Sequence, residues 1–333
     1  MKKIAYLGMG AWGYCLAMLL AAKNYQVTCW TTKADLAEQL NNTGTHPLFP
    51  GHRAHPHMHF TTNLEEALRG ADLIVESVTC MGIRPVFEQL QALRIPKIPI
   101  VITSKGIEQG SGEIIPTVIL DVLGAEFGPL IGCLSGPSFA ADVIGNLPTS
   151  VVVSGYNSDI IQKIRSVFLT PNFRIYPNMD VLGVAFGGAL KNIVAIACAI
   201  SDGLALGSSS KAALMTRGLH EIRKLAVACG AQAATINGLS GMGDLCVTCS
   251  SPLSRNFRFG TLLAQGLAAQ EAQKLIGMVV EGVYSCVSAV ELSKKYSVDM
   301  PIADAVYQII YHNMRPIDAV QTLMRRTIKE EHL

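Results

Sequence analysis

The sequence predicts an α/β protein, an N-terminal doubly wound parallel sheet joined to an all-helical C-terminal domain. Three observations carry this. The first half alternates short apolar runs with helical segments, a glycine-rich turn follows the first of those runs, and beyond Pro177 only helical periodicity remains. A chain of 333 residues exceeds one ordinary core, so two domains are expected, at 1–180 and 181–333.

The elements follow in order. "KIAYLG" (Lys3–Gly8) is short, apolar and ends in glycine, and "AWGYCLAMLLAAKN" after it has helical spacing. "YQVTCW" (Tyr25–Trp30), "ADLIVESV" (Ala71–Val78), "IPIVITS" (Ile98–Ser104) and "PLIGCLSG" (Pro129–Gly136) each lie about a helix length from the run before. "TSVVVSG" (Thr149–Gly155) and "FRIYP" (Phe173–Pro177) complete the set. Near-continuous apolar runs separated by helices imply parallel strands covered on both faces. The second half offers helices at Ser208–Gly230, Glu281–Tyr296 and Pro301–Asn313. Ser208 suits an N-cap, Gly230 a C-terminal stop, and Pro301 a first helical position.

Composition narrows the function. Half the residues are hydrophobic and 16% are charged, with 27 basic side chains against 25 acidic and a net charge of +2. That balance leaves no basic face for nucleic acid, so any anion must be held by local groups. Nine cysteines without framework spacing fit reduced thiols in a cytoplasm better than a disulfide scaffold. Val181–Ile200 is apolar and long, but Lys191 and Asn192 stand at its centre, which argues for a buried helix rather than a membrane span.

"GMGAWG" sets Gly8, Gly10 and Gly13 in the G-x-G-x-x-G spacing, after an expected strand and opening an expected helix. The glycines give a tight turn, close approach of backbone to a pyrophosphate, and close packing of helix on strand, while the helix N-terminus supplies unpaired amides. This is a Rossmann-type dinucleotide loop. The second strand ends in "CWTTKAD", with Trp30, Thr31, Thr32 and Lys33 and no carboxylate before Asp35. An NAD-selective fold places an acid there for the ribose hydroxyls. Hydroxyls and Lys33 suit a 2′-phosphate, so NADPH is the expected cofactor, with NADH admitted.

Three further stretches bear chemistry. "VITSKGIEQG" puts Lys105 past the carboxyl end of a strand, where open parallel sheets bind ligands; a solvated loop lysine is the plain alternative. In "GGALKNIVAIACAI" the one charge is Lys191, on a helical face with Gly187, Gly188 and Ala195. Such small residues let a ligand or another backbone approach. A lysine desolvated there has a lowered pKa and can donate a proton to a carbonyl oxygen; otherwise it snorkels to the surface. "LSGMGDLCVTCSSPLSRNFRFG" adds a carboxylate (Asp244), hydroxyls (Thr248, Ser254) and the pair Arg255–Asn256. Asp244 either orients a catalytic lysine or caps a helix, and the planar fork of Arg255 matches a phosphate.

Taken together, "GMGAWG", "SKGIEQG", "LSGPSFA", "GGALKNIVAIA", "KAALMTRG", "GMGDLCVTC", "LSRNFRFG" and "VVEGV" span nearly the whole chain in order. They resemble the NAD(P)-dependent glycerol-3-phosphate dehydrogenases of the single-chain bacterial type. The resemblance implies reduction of dihydroxyacetone phosphate to sn-glycerol 3-phosphate, supplying glycerophospholipid synthesis, in a cytoplasmic protein for which a homodimer is admitted. It implies Lys191 as proton donor and acceptor, and Lys105, Gly136, Ser138, Asp244, Ser254, Arg255 and Asn256 at the substrate. Toward the cofactor it implies Trp12, Ala140, Val279 and Glu281 beside Gly8, Gly10, Gly13 and Lys33, with Lys105 and Arg255 reaching it too. Ala11 departs from the serine of many members, and "TTK" from their arginine-led version.

Other constellations weigh less. His52, His55, His57 and His59 crowd one segment, yet intervening prolines and the lack of a second ligand cluster argue against metal. Cys246 and Cys249 form a lone C-x-x-C without a second pair. A β-hydroxyacid dehydrogenase lacks a use for "SRN", a silent NADP sensor has none for Lys105, Lys191 and Arg255 together, and a methyltransferase does not suit the helical second half.

Overall fold

The computed structural model describes residues 2–328 together with Glu330 and Glu331. The chain divides into two compact units, Met1–Ser104 with Ile115–Val181, and Lys105–Ile114 with Leu182–Leu333. The division does not follow a single cut after residue 180. Lys105–Ile114 groups with the helices because Ile107 and Ile114 are buried in the helical core and bridge each other in antiparallel fashion. Ser288 Oγ also donates to the Ile107 carbonyl at 3.4 Å.

In the first unit the strands are β1 (Lys3–Leu7), β2 (Gln26–Trp30), β3 (Met58–Thr61), β4 (Leu73–Glu76), β5 (Ile100–Ile102), β6 (Ile131–Ser135), β7 (Thr149–Gly155) and β8 (Phe173–Asn178), in spatial order β3-β2-β1-β4-β5-β6-β7-β8. The first six pair in parallel. This is the doubly wound 3-2-1-4-5-6 order, whose ligand crevice opens where the order reverses, between β1 and β4. Two features depart from expectation. β3 lies within the histidine-rich stretch, where no strand is foreseen. β7 runs antiparallel to β6, and β8 runs parallel to β7. The connection from Ser135 to Thr149 holds only the five-residue helix Ala140–Ile144, too little for a full parallel crossover, so the chain folds back.

The glycine loop between β1 and the helix Ala11–Ala22 is built as its spacing requires. Gly8 has a φ of 97°, and a Cβ there would meet the Ser77 carbonyl oxygen at 2.6 Å. A Cβ on Gly13 would come within 1.9 Å of the Gly8 oxygen, so the helix can close on the strand only at glycine.

The second unit is helical among its described residues. At its centre runs the helix Val181–Gly203, long and apolar enough to cross a membrane by composition, yet with 89% of its most apolar window buried inside the protein. It is a core helix. The helices Ser208–Ala228, Arg255–Ala264 and Glu281–Lys295 contribute to the same core. Gly207, not Ser208, occupies the N-cap of its helix and makes no side-chain cap; its φ of 86° favours glycine. Pro301 stands in the first turn of Pro301–Tyr311 and Gly230 follows a helix end at φ 97°, both as expected.

Close backbone approach recurs around the central helix. Gly187 faces the Ser240 carbonyl, with 2.8 Å available to a Cβ, and Gly260 faces the Ile196 carbonyl, with 2.5 Å. The small-residue face read beside Lys191 thus receives another stretch of backbone. Alanine normally stabilises a helix interior by about 1 kcal/mol over glycine. At Gly260 the sign reverses: Gly260→Ala should lower unfolding stability by about 1–3 kcal/mol through overpacking, as urea denaturation will show.

Candidate active site

The charged centre lies within the helical unit. Asp244 opens the helix Asp244–Ser250 directly after one π-helical turn, Leu239–Gly243. Gly241 makes that turn feasible, since a Cβ there would reach within 2.0 Å of the Ile236 carbonyl. Single π-helical turns often mark functional sites. This one delivers the Asp244 carboxylate, 2% exposed, between two lysines.

Lys105 Nζ donates to Asp244 Oδ2 at 2.6 Å, and Lys191 Nζ donates to Oδ1. Lys191 donates also to Thr248 Oγ1 at 2.8 Å, and the Thr248 hydroxyl in turn donates to the Asp244 carbonyl at 2.6 Å. The Lys191 amine therefore has a fixed position. Of the two readings for Lys191, the buried one holds: it is 7% exposed and points to a carboxylate, not outward. Burial pushes its pKa down to about 8, assisted by the nearby Lys105 charge and opposed by Asp244. An amine so poised exists in both protonation states near neutral pH, as a general acid–base requires.

Further along the chain, Arg255 begins the helix Arg255–Ala264. Burial pushes its pKa down, while the Glu281 charge raises it and Arg258 lowers it. Ser254 is the N-cap, its Oγ accepting from the Phe257 amide at 3.2 Å, so the hydroxyl keeps its own hydrogen to donate. Asn256 donates one amide hydrogen to Asn192 Oδ1 and accepts from the Gly282 amide, both at 2.9 Å. It thereby ties the central helix to the helix Glu281–Lys295. Val279 and Glu281 stand at the start of that helix.

The first unit holds the dinucleotide elements. Gly10 is the N-cap of Ala11–Ala22, which has no side-chain cap and no acidic residue in its first turn. Nothing lies within 4 Å of a Cβ placed on Gly10. An anion can therefore approach this backbone, so the residues fit a dinucleotide pyrophosphate. Trp12 is half-buried in the same first turn. Lys33 is exposed at the N-cap of Ala34–Thr43, its amide donating to Thr31 Oγ1 at 3.2 Å. Gly136 closes β6 at φ 143°, Ser138 Oγ donates to its carbonyl at 3.0 Å, and Ala140 starts the next helix.

Some contributors are silent in sequence. His46, 3% exposed, accepts from the Leu48 amide at Nδ1, 3.1 Å away; its Nε2 must then carry the proton and donate to the Met9 carbonyl inside the glycine loop at 3.2 Å. Glu76, at the end of β4, is fully buried beneath that loop's edge of the sheet. Its only sequence signal is a carboxylate inside an apolar strand. In the histidine-rich segment the rings of His55 and His57 lie 4.8 Å apart, and His59 Nε2 meets Glu66 at 3.2 Å. No group of three or more His, Cys, Asp or Glu among the described residues is placed to hold a metal.

Comparisons with known proteins give a consistent result. The N-terminal model of the NAD-dependent glycerol-3-phosphate dehydrogenases matches residues 3–161, and the C-terminal model matches 180–321. A glycerol-3-phosphate dehydrogenase [NAD(P)+] of Protochlamydia amoebophila is 66% identical over the full length of both chains. One from Chlamydia felis is 51% identical over 100% of this chain and 99% of its own. A crystal structure of glycerol-3-phosphate dehydrogenase from Coxiella burnetii, 35% identical, superposes with a TM-score of 0.93 over 98% of this chain and 99% of that one.

The clamp makes a stability prediction. Asp244→Asn removes the carboxylate from two ammonium groups, and the buried charge left behind should lower stability by about 3 kcal/mol in urea unfolding. Adding Lys191→Met to the same chain should recover part of that loss.

Proposed function

The chain belongs to the NAD-dependent glycerol-3-phosphate dehydrogenase family, and from that premise we propose how its own residues carry the reaction. It is an oxidoreductase that interconverts dihydroxyacetone phosphate and sn-glycerol 3-phosphate with NAD(P)H. The Lys105–Asp244–Lys191 clamp is the observation that carries the proposal. When bound, NAD(P)H supplies the hydride that reduces the substrate carbonyl carbon.

The glycine loop of the first unit cradles the dinucleotide, and the charged centre of the second carries the proton chemistry. Gly8, Gly10 and Gly13 shape the pyrophosphate cradle, with Trp12, Ala140, Val279 and Glu281 as further cofactor contacts. Thr31, Thr32 and Lys33, with no carboxylate before Asp35, support NADPH as the preferred form. Arg255 takes the substrate phosphate through its fork. Ser254 donates its remaining hydroxyl hydrogen, and Asn256 the amide hydrogen not used by Asn192. Gly136 and Ser138 line the substrate.

Lys191 gives its proton to the oxygen that becomes the product hydroxyl, and Lys105 stabilises negative charge as it develops there. Asp244 holds both amines in register and compensates their charge. In oxidation Lys191 acts in the neutral form and accepts the hydroxyl proton. All nine cysteines are free thiols, which supports a reducing compartment, and we place the protein in the cytoplasm, supplying glycerophospholipid synthesis.

Lys191→Ala should lower kcat by about a hundredfold or more while leaving dinucleotide affinity in place, as equilibrium titration will check; an unchanged kcat removes Lys191 from the mechanism. The pH dependence has a definite sign. Reduction needs the ammonium form, so its rate should hold below about 8 and fall by about tenfold per pH unit above it, whereas oxidation should rise with pH up to about 8 and then level. Arg255→Ala should chiefly raise KM for dihydroxyacetone phosphate in steady-state assays, and much less that for an unphosphorylated analogue.

A further inference from the structure

Among the described residues Glu76 is the charged side chain buried in the strands of this sheet, and nothing in the proton-transfer scheme employs it. Its surroundings are built for a carboxylate. The Val78 amide donates to Oε2 at 3.1 Å, and the Thr103 and Ser104 amides donate to Oε1 at 3.2 and 3.3 Å. The Ser104 hydroxyl donates to Oε2 as well. Four donors from two loop entrances thus converge on one side chain, at the carboxyl ends of β4 and β5.

A second chain of hydroxyls fixes the same corner. Thr103 Oγ1 donates to the Glu76 carbonyl at 2.7 Å, so it accepts from Ser77 Oγ at 2.5 Å, and Ser77 must accept from the Tyr6 hydroxyl at 2.8 Å. Ser77 is the residue whose carbonyl packs against Gly8. Glu76 is therefore one residue from the wall of the dinucleotide loop. It sits in the first strand of the β4–β5–β6 half of the sheet, the second of the two mononucleotide-binding halves of this fold.

The two redox forms of the cofactor differ at the nicotinamide by one positive charge. A buried carboxylate distinguishes them, because a charge in low dielectric acts over distances that water would screen. We propose that Glu76 is a specificity-determining residue for the redox state of the dinucleotide: ionised, it favours the cationic oxidised ring, and protonated, it favours the neutral reduced ring. The inference rests on the reading of the glycine loop as the dinucleotide site. By linkage, the oxidised cofactor must in turn drive a proton from Glu76 to solvent.

The proton balance at Glu76 falls in the useful range. Burial pushes its pKa up to about 7, against the hydrogen bonds from Ser104, Val78 and Thr103 that lower it. The titratable groups facing it are Tyr6 on β1 and Cys133 on β6, both held neutral by burial that raises their pKa values. Lys105, next in the chain after Ser104, is engaged by Asp244.

The test measures binding. Dissociation constants for NADP+ and NADPH are determined at pH 6 and pH 8 for the native protein and for Glu76→Gln. The two ligands share every ionisable group, so their ratio isolates the charge on the ring. In the native protein the preference for NADP+ over NADPH should grow by about threefold or more between pH 6 and pH 8. In Glu76→Gln that growth should shrink to the part contributed by the Lys191 amine, which titrates near 8, and adding Lys191→Met to both proteins removes that part. Equal pH dependence in the two proteins, or none in the native one, overturns the proposal. Failure of the native protein to bind either dinucleotide overturns the loop reading and this inference with it. Should Glu76→Gln not fold, calorimetry of Lys191→Met, which lacks the amine that also titrates near neutral pH, at pH 7 in two buffers of different ionisation enthalpy decides. Greater proton release with NADP+ than with NADPH supports the proposal, and equal release overturns it.

Discussion

One carboxylate shared by two ammonium groups organises the catalytic half of this molecule. Asp244 is almost wholly removed from water, and so is Lys191. Either charge alone would be prohibitive in that position, and the pair is tolerable only because each remaining polar atom also has a partner. Thr248 completes the set by accepting from Lys191 and donating back to the backbone of Asp244. The surrounding architecture is arranged to bring this one side chain in: a π-helical turn aims it, and glycines at 187 and 241 let the backbones close to the necessary distance. Packing and chemistry are thus one problem here, since loosening the helix contacts would move the amine.

The same logic, with the opposite sign, governs the other unit. There the buried group is an acid, Glu76, and it is matched by amide and hydroxyl donors instead of an ammonium. Donors without a formal charge leave more of the desolvation penalty uncompensated, which is why this acid is pushed upward towards neutrality. Lysine and glutamate are both displaced towards physiological pH by burial, from opposite directions. The first unit thus carries an acid, and the helical unit an amine, whose proton can be moved cheaply.

Much of this was legible in the sequence. Seven of the strands stand out because a parallel sheet covered on both faces needs apolar runs, and the glycine spacing marks the turn after the first. β3 escaped because four residues among histidines and prolines make no such run. The reversal at β7 escaped because strand direction is not written in the strand; it follows from how little chain is available to return. Lys191 announced itself as the lone charge in an apolar helix. Its partnership with Asp244 spans 53 residues and that of Lys105 spans 139, contacts that only the folded chain defines. In the sequence Ser254 and Asn256 show only polar atoms fit for a substrate, whereas the fold also uses them locally, as a cap and as a tie between helices.

The excursion of Lys105–Ile114 into the helical unit has a consequence for dividing the chain. The chain passes from one unit to the other three times, after 104, 114 and 181. A gene fragment encoding only the last half would lack Ile107 and Ile114 from its interior and one of the two cations around Asp244. The helical unit is therefore not one contiguous piece of chain, and a segment starting after 181 would have to carry Lys105–Ile114 with it to keep its core and its charge balance.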